Sequence, residues 1–271
     1  MIGPLVDVDW LVTHLDDVRV VDVRWYPDGR SGRDAYLSGH VSGAVYLDVN
    51  DDLSAPATTT DGRHPMPTAE AFASALGRVG IAVGTPVVVY DDVGGSRAAR
   101  LWWMLHVLGE PVAVLDGGLA AWVESGGALS TDEPSVTPVE RAAHAWPVAR
   151  FLDADAVAAT TATVLDARAA DRYVHGDPNL DPRPGHIPGA ISAPWEANLG
   201  PDGRFLPPAE LRARYGSGTA GDGSFIAYCG SGVTACHDLL ALAVAGVADT
   251  ALYPGSWSQW ANDPARPTEV G

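Results

Sequence analysis

The chain repeats itself once, at a period of about half its length. Val20-Val21-Asp22-Val23-Arg24 is echoed by Val164-Leu165-Asp166-Ala167-Arg168. Gly39-His40-Val41-Ser42-Gly43-Ala44-Val45 is echoed by Gly185-His186-Ile187-Pro188-Gly189-Ala190-Ile191. Val87-Val88-Val89-Tyr90-Asp91 matches Phe225-Ile226-Ala227-Tyr228-Cys229, and Gly117-Gly118 with Trp122 matches Gly255-Ser256 with Trp260. Four blocks in one order, at a near-constant offset, mean duplication of a whole domain. A length of 271 residues suits two domains at roughly 100–200 residues each. We place them at residues 1–130 and 150–271, joined by a Ser-, Thr-, Pro- and Ala-rich linker over 131–149 that lacks sustained apolar periodicity.

Within each copy, short β-branched runs (Val18–Val23, Val87–Tyr90, Val112–Leu115) alternate with segments of helical spacing such as Ala69–Val79 and Ala98–Leu108. Continuous apolar runs of this length suit strands covered on both faces. The expected fold is therefore α/β: two tandem domains, each a mainly parallel sheet flanked by helices.

Composition narrows the function. Asp plus Glu number 34 against 17 for Lys plus Arg, a formal charge of −17. A field of that sign repels phosphate backbones and anionic lipid heads, so neither nucleic acid nor a membrane is expected as partner. The longest apolar run, Leu239 to Val247, falls short of the ~20 residues a membrane span needs. Met1 to Asp9 carries acids and no basic stretch, unlike a signal peptide. With only Cys229 and Cys236, a disulfide framework and a multi-cysteine zinc site are excluded. We expect a cytoplasmic protein without metal or cofactor.

The chemistry concentrates after the third repeated block. Phe225-Ile226-Ala227-Tyr228 reads as a strand, Cys229-Gly230-Ser231-Gly232-Val233-Thr234 as a loop, and Ala235 onward as a helix. A residue at the carboxyl end of a central parallel strand faces the crevice where such sheets bind ligands. Glycines let the loop curl so that backbone N–H groups converge, and the helix adds its positive dipole end. Both favour a thiolate at Cys229. The first copy has Asp91 at this position, so the fold itself does not require cysteine.

These features resemble the rhodanese superfamily of sulfurtransferases. Within it, the tandem copies, the Gly-His-Ile-Pro-Gly-Ala block and Cys-Gly-Ser-Gly-Val-Thr-Ala-Cys are similar to the 3-mercaptopyruvate sulfurtransferases, across essentially the whole chain. The resemblance implies that Cys229 carries a persulfide. It implies that Gly230, Gly232, Val233 and Thr234 line the substrate site, and that Arg172 and Arg183 bind the donor carboxylate. It also makes Ser231 and His64 a relay that polarises the donor, oriented by Asn50 or by a neighbouring acid, Asp48, Asp51 or Asp52. The acceptor implied is a thiol (thioredoxin or a low-molecular-weight thiol) or cyanide.

The loop separates neighbouring chemistries. A cysteine phosphatase needs an arginine six residues after the nucleophile to grip phosphate oxygens; here that residue is Ala235. Thiosulfate-specific rhodaneses carry basic residues after the cysteine, whereas Gly230 and Ser231 are neutral. That favours 3-mercaptopyruvate over thiosulfate. A non-catalytic persulfide relay is the alternative from outside the enzymes. Arg24 and Arg168, like His40 and His186, recur in both copies and read as structural; Cys236 and the tryptophans Trp102, Trp103, Trp257 and Trp260 read as packing.

Overall fold

The computed structural model describes residues 2–58, 60–216 and 223–270. The chain divides into two compact units. Unit 1 comprises Met1–Ala55, Pro67–Trp146 and Pro201–Phe205; unit 2 comprises Pro56–Met66, Pro147–Gly200 and Leu206–Gly271. Each unit thus includes a short piece taken from the other half of the sequence.

Unit 1 runs β1 (Leu5–Val6), α1 (Val8–His14), β2 (Arg19–Asp22), α2 (Gly32–Ser38), β3 (His40–Val41), β4 (Val45–Tyr46), α3 (Ala69–Arg78), β5 (Val87–Tyr90), α4 (Ala98–His106), β6 (Val112–Leu115), α5 (Gly118–Glu124) and β7 (Leu129–Ser130). Its main sheet has the order β1-β6-β5-β2-β4, with every pairing parallel. All four residues of β5 and of β6 are buried, as the unbroken apolar runs require of strands covered on both faces. The stretch expected to be a linker packs onto unit 1 over 131–146. Val139 N–H donates to Gly77 O at 2.9 Å, the buried Arg141 pairs with Glu110 at 2.6 Å, and Trp146 Nε1 donates to Pro67 O at 2.8 Å.

Unit 2 repeats the plan with α6 (Ala154–Ala158), β8 (Thr163–Asp166), α7 (Ala170–His175), β9 (Ile191–Ser192), α8 (Pro208–Gly216), β10 (Phe225–Tyr228), α9 (Ala235–Val244), β11 (Thr250–Leu252) and α10 (Ser256–Trp260). Its parallel sheet has the order β11-β10-β8-β9. Phe151 bridges in parallel to Leu252, doing in one residue what β1 does for unit 1. Side-chain oxygens cap the helices where the sequence offers Asp, Ser or Thr: Asp7, Ser31, Thr68 and Asp153 each accept the N–H three residues on. Among the described residues no helix is long and apolar enough to cross a membrane.

The repeated motifs do the same work in both units. Arg24 grips Asp22 at 2.7 Å and Gly39 O at 2.8 Å; Arg168 grips Asp166 at 2.6 Å and Gly185 O at 2.8 Å. His40 stacks on Tyr36 at 3.8 Å, and His186 on Tyr173 at 3.7 Å. The hydroxyls of Tyr90 and Tyr228 accept the N–H of Val41 and of Ile187. Each arginine ties a central strand to the turn after a helix, and each tyrosine ties the next strand to the same turn. Trp102, Trp103, Trp257 and Trp260 are all fully buried.

Candidate active site

Cys229 follows directly on β10 and is 2% exposed. Its sulfur accepts the N–H of Gly232 at 3.1 Å and of Ser231 at 3.4 Å. Burial alone would push the thiol up. The Thr234 hydroxyl and the N–H groups of Ser231, Ala235 and Gly232 outweigh it and hold the group below its ordinary value. This curl depends on glycine. Gly232 sits at φ +81°, and a Cβ there would meet Pro254 O at 2.5 Å. Val233 buries its side chain, at 3% exposure. Cys236 is also a free, buried thiol, and its sulfur donates to Gly232 O at 3.5 Å.

The start of α10 stitches the loop from below. Trp257 N–H donates to Cys229 O at 2.9 Å, and Ser258 N–H to Gly230 O at 3.0 Å. Ser256 Oγ accepts the Cys229 N–H at 3.2 Å and donates to Tyr253 O at 2.9 Å. With φ at 52°, Ser256 is the one non-glycine residue of positive φ among those described, a conformation that costs an ordinary residue roughly 1–2 kcal/mol. Gly118 takes the matching place in unit 1, at φ 55°.

His64 reaches the loop from the Pro56–Met66 segment of unit 2. Its Nδ1 lies 2.8 Å from Ser231 Oγ, and the residue is 7% exposed. The segment is pinned to α10: Arg63 N–H donates to Ser258 Oγ at 3.1 Å, and Gln259 Nε2 to Thr60 O at 2.6 Å. Gly62, at φ +87°, runs so close that a Cβ would stand 2.7 Å from Gly255 O. Of the acids named as candidates to orient His64, Asp48 is engaged within unit 1. It accepts the Tyr46 hydroxyl at 2.8 Å and the Asn50 N–H at 2.7 Å. Asp52 pairs with Arg78.

The arginines are placed differently from expectation. Arg172, on α7, lies over the loop: a Cβ on Gly230 would stand 3.0 Å from its Nη2. Arg183 does not join it. Its guanidinium donates to the carbonyls of Ala261 (2.9 Å), Asp263 (2.9 Å), Arg266 (3.2 Å) and Trp260 (3.3 Å), while its own carbonyl accepts from Trp257 Nε1 at 3.1 Å. The expectation that Arg183 binds the donor is therefore corrected. With its N–H groups spent on main-chain carbonyls, Arg183 holds the segment after α10. The guanidinium beside Arg172 belongs instead to Arg63, whose Nη2 would be 2.8 Å from the same Cβ. Sequence reading missed it, although a cation adjoining an expected catalytic histidine was the available signal.

Two copies of a parallel sheet, one carrying a thiol in a ring of N–H donors, decide the family together with the sequence match. The Rhodanese-like domain model matches residues 7–125 and again 149–263. The chain belongs to the rhodanese family. This rhodanese is 44% identical to a probable 3-mercaptopyruvate sulfurtransferase from Pseudomonas aeruginosa, over 94% of its own length and 93% of that protein. It is 41% identical to a putative thiosulfate sulfurtransferase, SseB, from Mycobacterium tuberculosis, over 94% and 92%. Among solved structures, SseA from Escherichia coli, a 3-mercaptopyruvate sulfurtransferase of rhodanese fold, superposes with a TM-score of 0.80 at 36% identity. That match covers 94% of this chain and 99% of the other. The rhodanese described here is accordingly an enzyme, a sulfurtransferase that takes sulfur from a donor and passes it to a thiol acceptor. Among its described residues, no group of three or more His, Cys, Asp or Glu is placed to hold a metal ion.

Proposed function

We propose that the enzyme moves sulfane sulfur from 3-mercaptopyruvate to a thiol or to cyanide through a persulfide on Cys229. The observation that carries this reading is the donor shell of Cys229, which favours an anion at the sulfur. The thiolate attacks the donor sulfur and forms an S–S bond. The donor's C–S bond breaks, its electron pair leaves on carbon as the enolate of pyruvate, and a proton then converts the enolate to pyruvate. Ser231, joined to His64 at 2.8 Å, is the hydroxyl positioned to polarise the donor and relay that proton. Arg63 offers its guanidinium to the carboxylate and ketone oxygens, and Arg172, whose Nε and Nη2 hold Asp181, offers Nη1 beside it. An acceptor thiolate then attacks the outer sulfur, and the Cys229 thiolate departs.

The acceptor in this reading is thioredoxin or a low-molecular-weight thiol, in a reducing cytoplasm consistent with two free cysteines. A second reading, thiosulfate as donor, is favoured by one observation: Arg63 brings a cation that the neutral Gly230-Ser231 pair does not supply. Initial rates with both donors in parallel test the choice. The reading expects a higher kcat/KM for 3-mercaptopyruvate, and one added sulfur mass on the Cys229 peptide when donor is supplied without acceptor. A higher kcat/KM for thiosulfate would overturn the donor assignment.

A further inference from the structure

Three guanidinium groups and two carboxylates gather beside the Cys229 loop in unit 2. Arg168 is matched by Asp166 at 2.6 Å. Arg172 is matched by Asp181, with Nη2 to Oδ1 at 2.6 Å and Nε to Oδ2 at 3.1 Å. The Asp181 side chain is 1% exposed, lies 3.6 Å from Arg168 Nη1 and accepts the Asp177 N–H at 2.9 Å. It is a buried, fully engaged carboxylate. Arg63 has no carboxylate within ion-pair distance among the described residues; its Nη1 donates to the neutral carbonyl of Leu180 at 2.6 Å. Three guanidinium groups and two carboxylates leave one positive charge over Gly230 before the Cys229 thiolate is counted, and that charge belongs to Arg63.

We propose that Asp181 sets donor selectivity by cancelling one of the two cations over the loop, so that the site suits a donor carrying one negative charge and disfavours one carrying two. The inference rests on the proposed reaction at Cys229. In a partly desolvated site a unit of charge is screened far less than in water. A second negative charge on thiosulfate therefore finds no unmatched cation, whereas the single carboxylate of 3-mercaptopyruvate finds Arg63. Asp181 holds Arg172 through Nε and Nη2, and Nη2 is also its atom nearest Gly230, so the carboxylate sits against the cation where it faces the loop. Burial pulls the Arg63 guanidinium below its ordinary value; Cys229 and, more weakly, Asp181 oppose that fall, while Arg172 and Arg168 add to it.

The test is Asp181→Asn, which keeps an oxygen acceptor for Arg172 and removes the charge. The ratio of kcat/KM for thiosulfate to that for 3-mercaptopyruvate should rise about 10-fold, the scale of one poorly screened charge, and should rise less at high salt. Asp181→Glu restores the charge and should bring the ratio back toward wild type. An unchanged ratio, or equal losses for both donors, would show that Asp181 only supports the fold of its segment and would overturn the proposal. If Asp181→Asn does not fold, Arg63→Gln decides. It removes the uncompensated cation and should lower rates with both anions while steepening the penalty for thiosulfate; an unaltered ratio there overturns the proposal as well. Wild-type persulfide formation at Cys229, measured in the same assay, separates failure of this inference from failure of the underlying reaction.

Discussion

The turn after β5 in unit 1 and the turn after β10 in unit 2 are built alike and hold different occupants. In unit 1 the Asp91 carboxylate is fully buried. It accepts four main-chain N–H groups: Val93 and Gly95 at 2.8 Å on one oxygen, Arg97 at 2.7 Å and Ala98 at 2.9 Å on the other. In unit 2 the Cys229 sulfur accepts from Ser231 and Gly232 at longer range. The next helix closes both turns in the same way, with Leu119 N–H on Asp91 O and Trp257 N–H on Cys229 O, each at 2.9 Å. The anion cradle is thus a property of the fold. Unit 1 fills it permanently with a carboxylate. Unit 2 fills it with a group that can gain and lose an atom, and adds the Ser256 hydroxyl where unit 1 has bare Gly118.

Writing unit 1's occupant into unit 2 should have the largest effect. Cys229→Asp is expected to abolish the sulfur adduct and turnover while the thermal melt remains cooperative, because the carboxylate suits the cradle. Mass spectrometry of the donor-treated protein checks this; a sulfur adduct on Cys236 would break the assignment. Next in size, His64→Ala should lower kcat by roughly 10²-fold, the scale of lost acid–base assistance, with the melting temperature little changed. A silent substitution would remove the relay from the mechanism.

Asp91→Ala should do the reverse, sparing chemistry and harming stability. It strands buried N–H donors that cost about 1–3 kcal/mol each when unsatisfied, so urea denaturation should show a loss of roughly 3 kcal/mol or more. Activity per folded molecule should hold. Loss of activity beyond the unfolded fraction would mean that unit 1's turn contributes to the reaction.

The helices after the two turns differ as well. The fourth residue of α4 is Leu101, that of α9 is Asp238, and both are fully buried. Asp238 accepts from Asn198 at 2.8 Å and from the Tyr215 hydroxyl at 3.1 Å. Burial pushes its carboxyl up to about 7, against the opposing pull of Asn198, Arg214 and Tyr215. Between its ordinary value of 3.8 and about 7, the folded state binds the extra proton. The stability contributed by this group is therefore full at the acid end and lost as pH rises toward neutrality. Denaturation across that range should show wild type losing stability relative to Asp238→Asn; parallel curves would mean an ordinary carboxyl.

Smallest of all should be Ser256→Gly, which copies Gly118. Relief of the positive φ and loss of the hydroxyl's bond to Cys229 N–H oppose each other, so stability should change by about 1 kcal/mol or less. The pH profile of persulfide formation should nonetheless shift, because that bond fixes the main chain beneath the sulfur. An unaltered profile would make Ser256 packing only.

The duplicated blocks made the fold legible, since a motif that recurs where the chemistry does not must serve the structure. That is how Asp22–Arg24 and Asp166–Arg168 could be recognised as structural before their distances were known. The Cys229 loop was equally plain, because strand, glycines and helix are contiguous. Arg183 and Arg63 were not separable that way. Which arginine reaches the loop depends on the path of 176–183 and on a segment from far upstream, and both are fixed by main-chain contacts with α10 that leave no local pattern. Arg183 lies beside a repeated motif, yet the four carbonyls it binds come from residues 77 to 83 positions away.

The anchoring of Pro56–Met66 to unit 2 also governs when the enzyme can become active during synthesis. Arg63 meets Ser258 across 195 residues and Thr60 meets Gln259 across 199, so these anchors of the His64 segment form only after α10 has left the ribosome. Bringing ends together over such a span is entropically slow and is compensated only once both partners exist. Unit 1's main sheet draws all its strands from residues before Asp116 and can form early, holding the segment's root while its tip waits. A nascent chain stalled before α10 would therefore carry Cys229 without the anchored His64 segment, and a reactive thiol would stay uncoupled from its proton relay until α10 has been made.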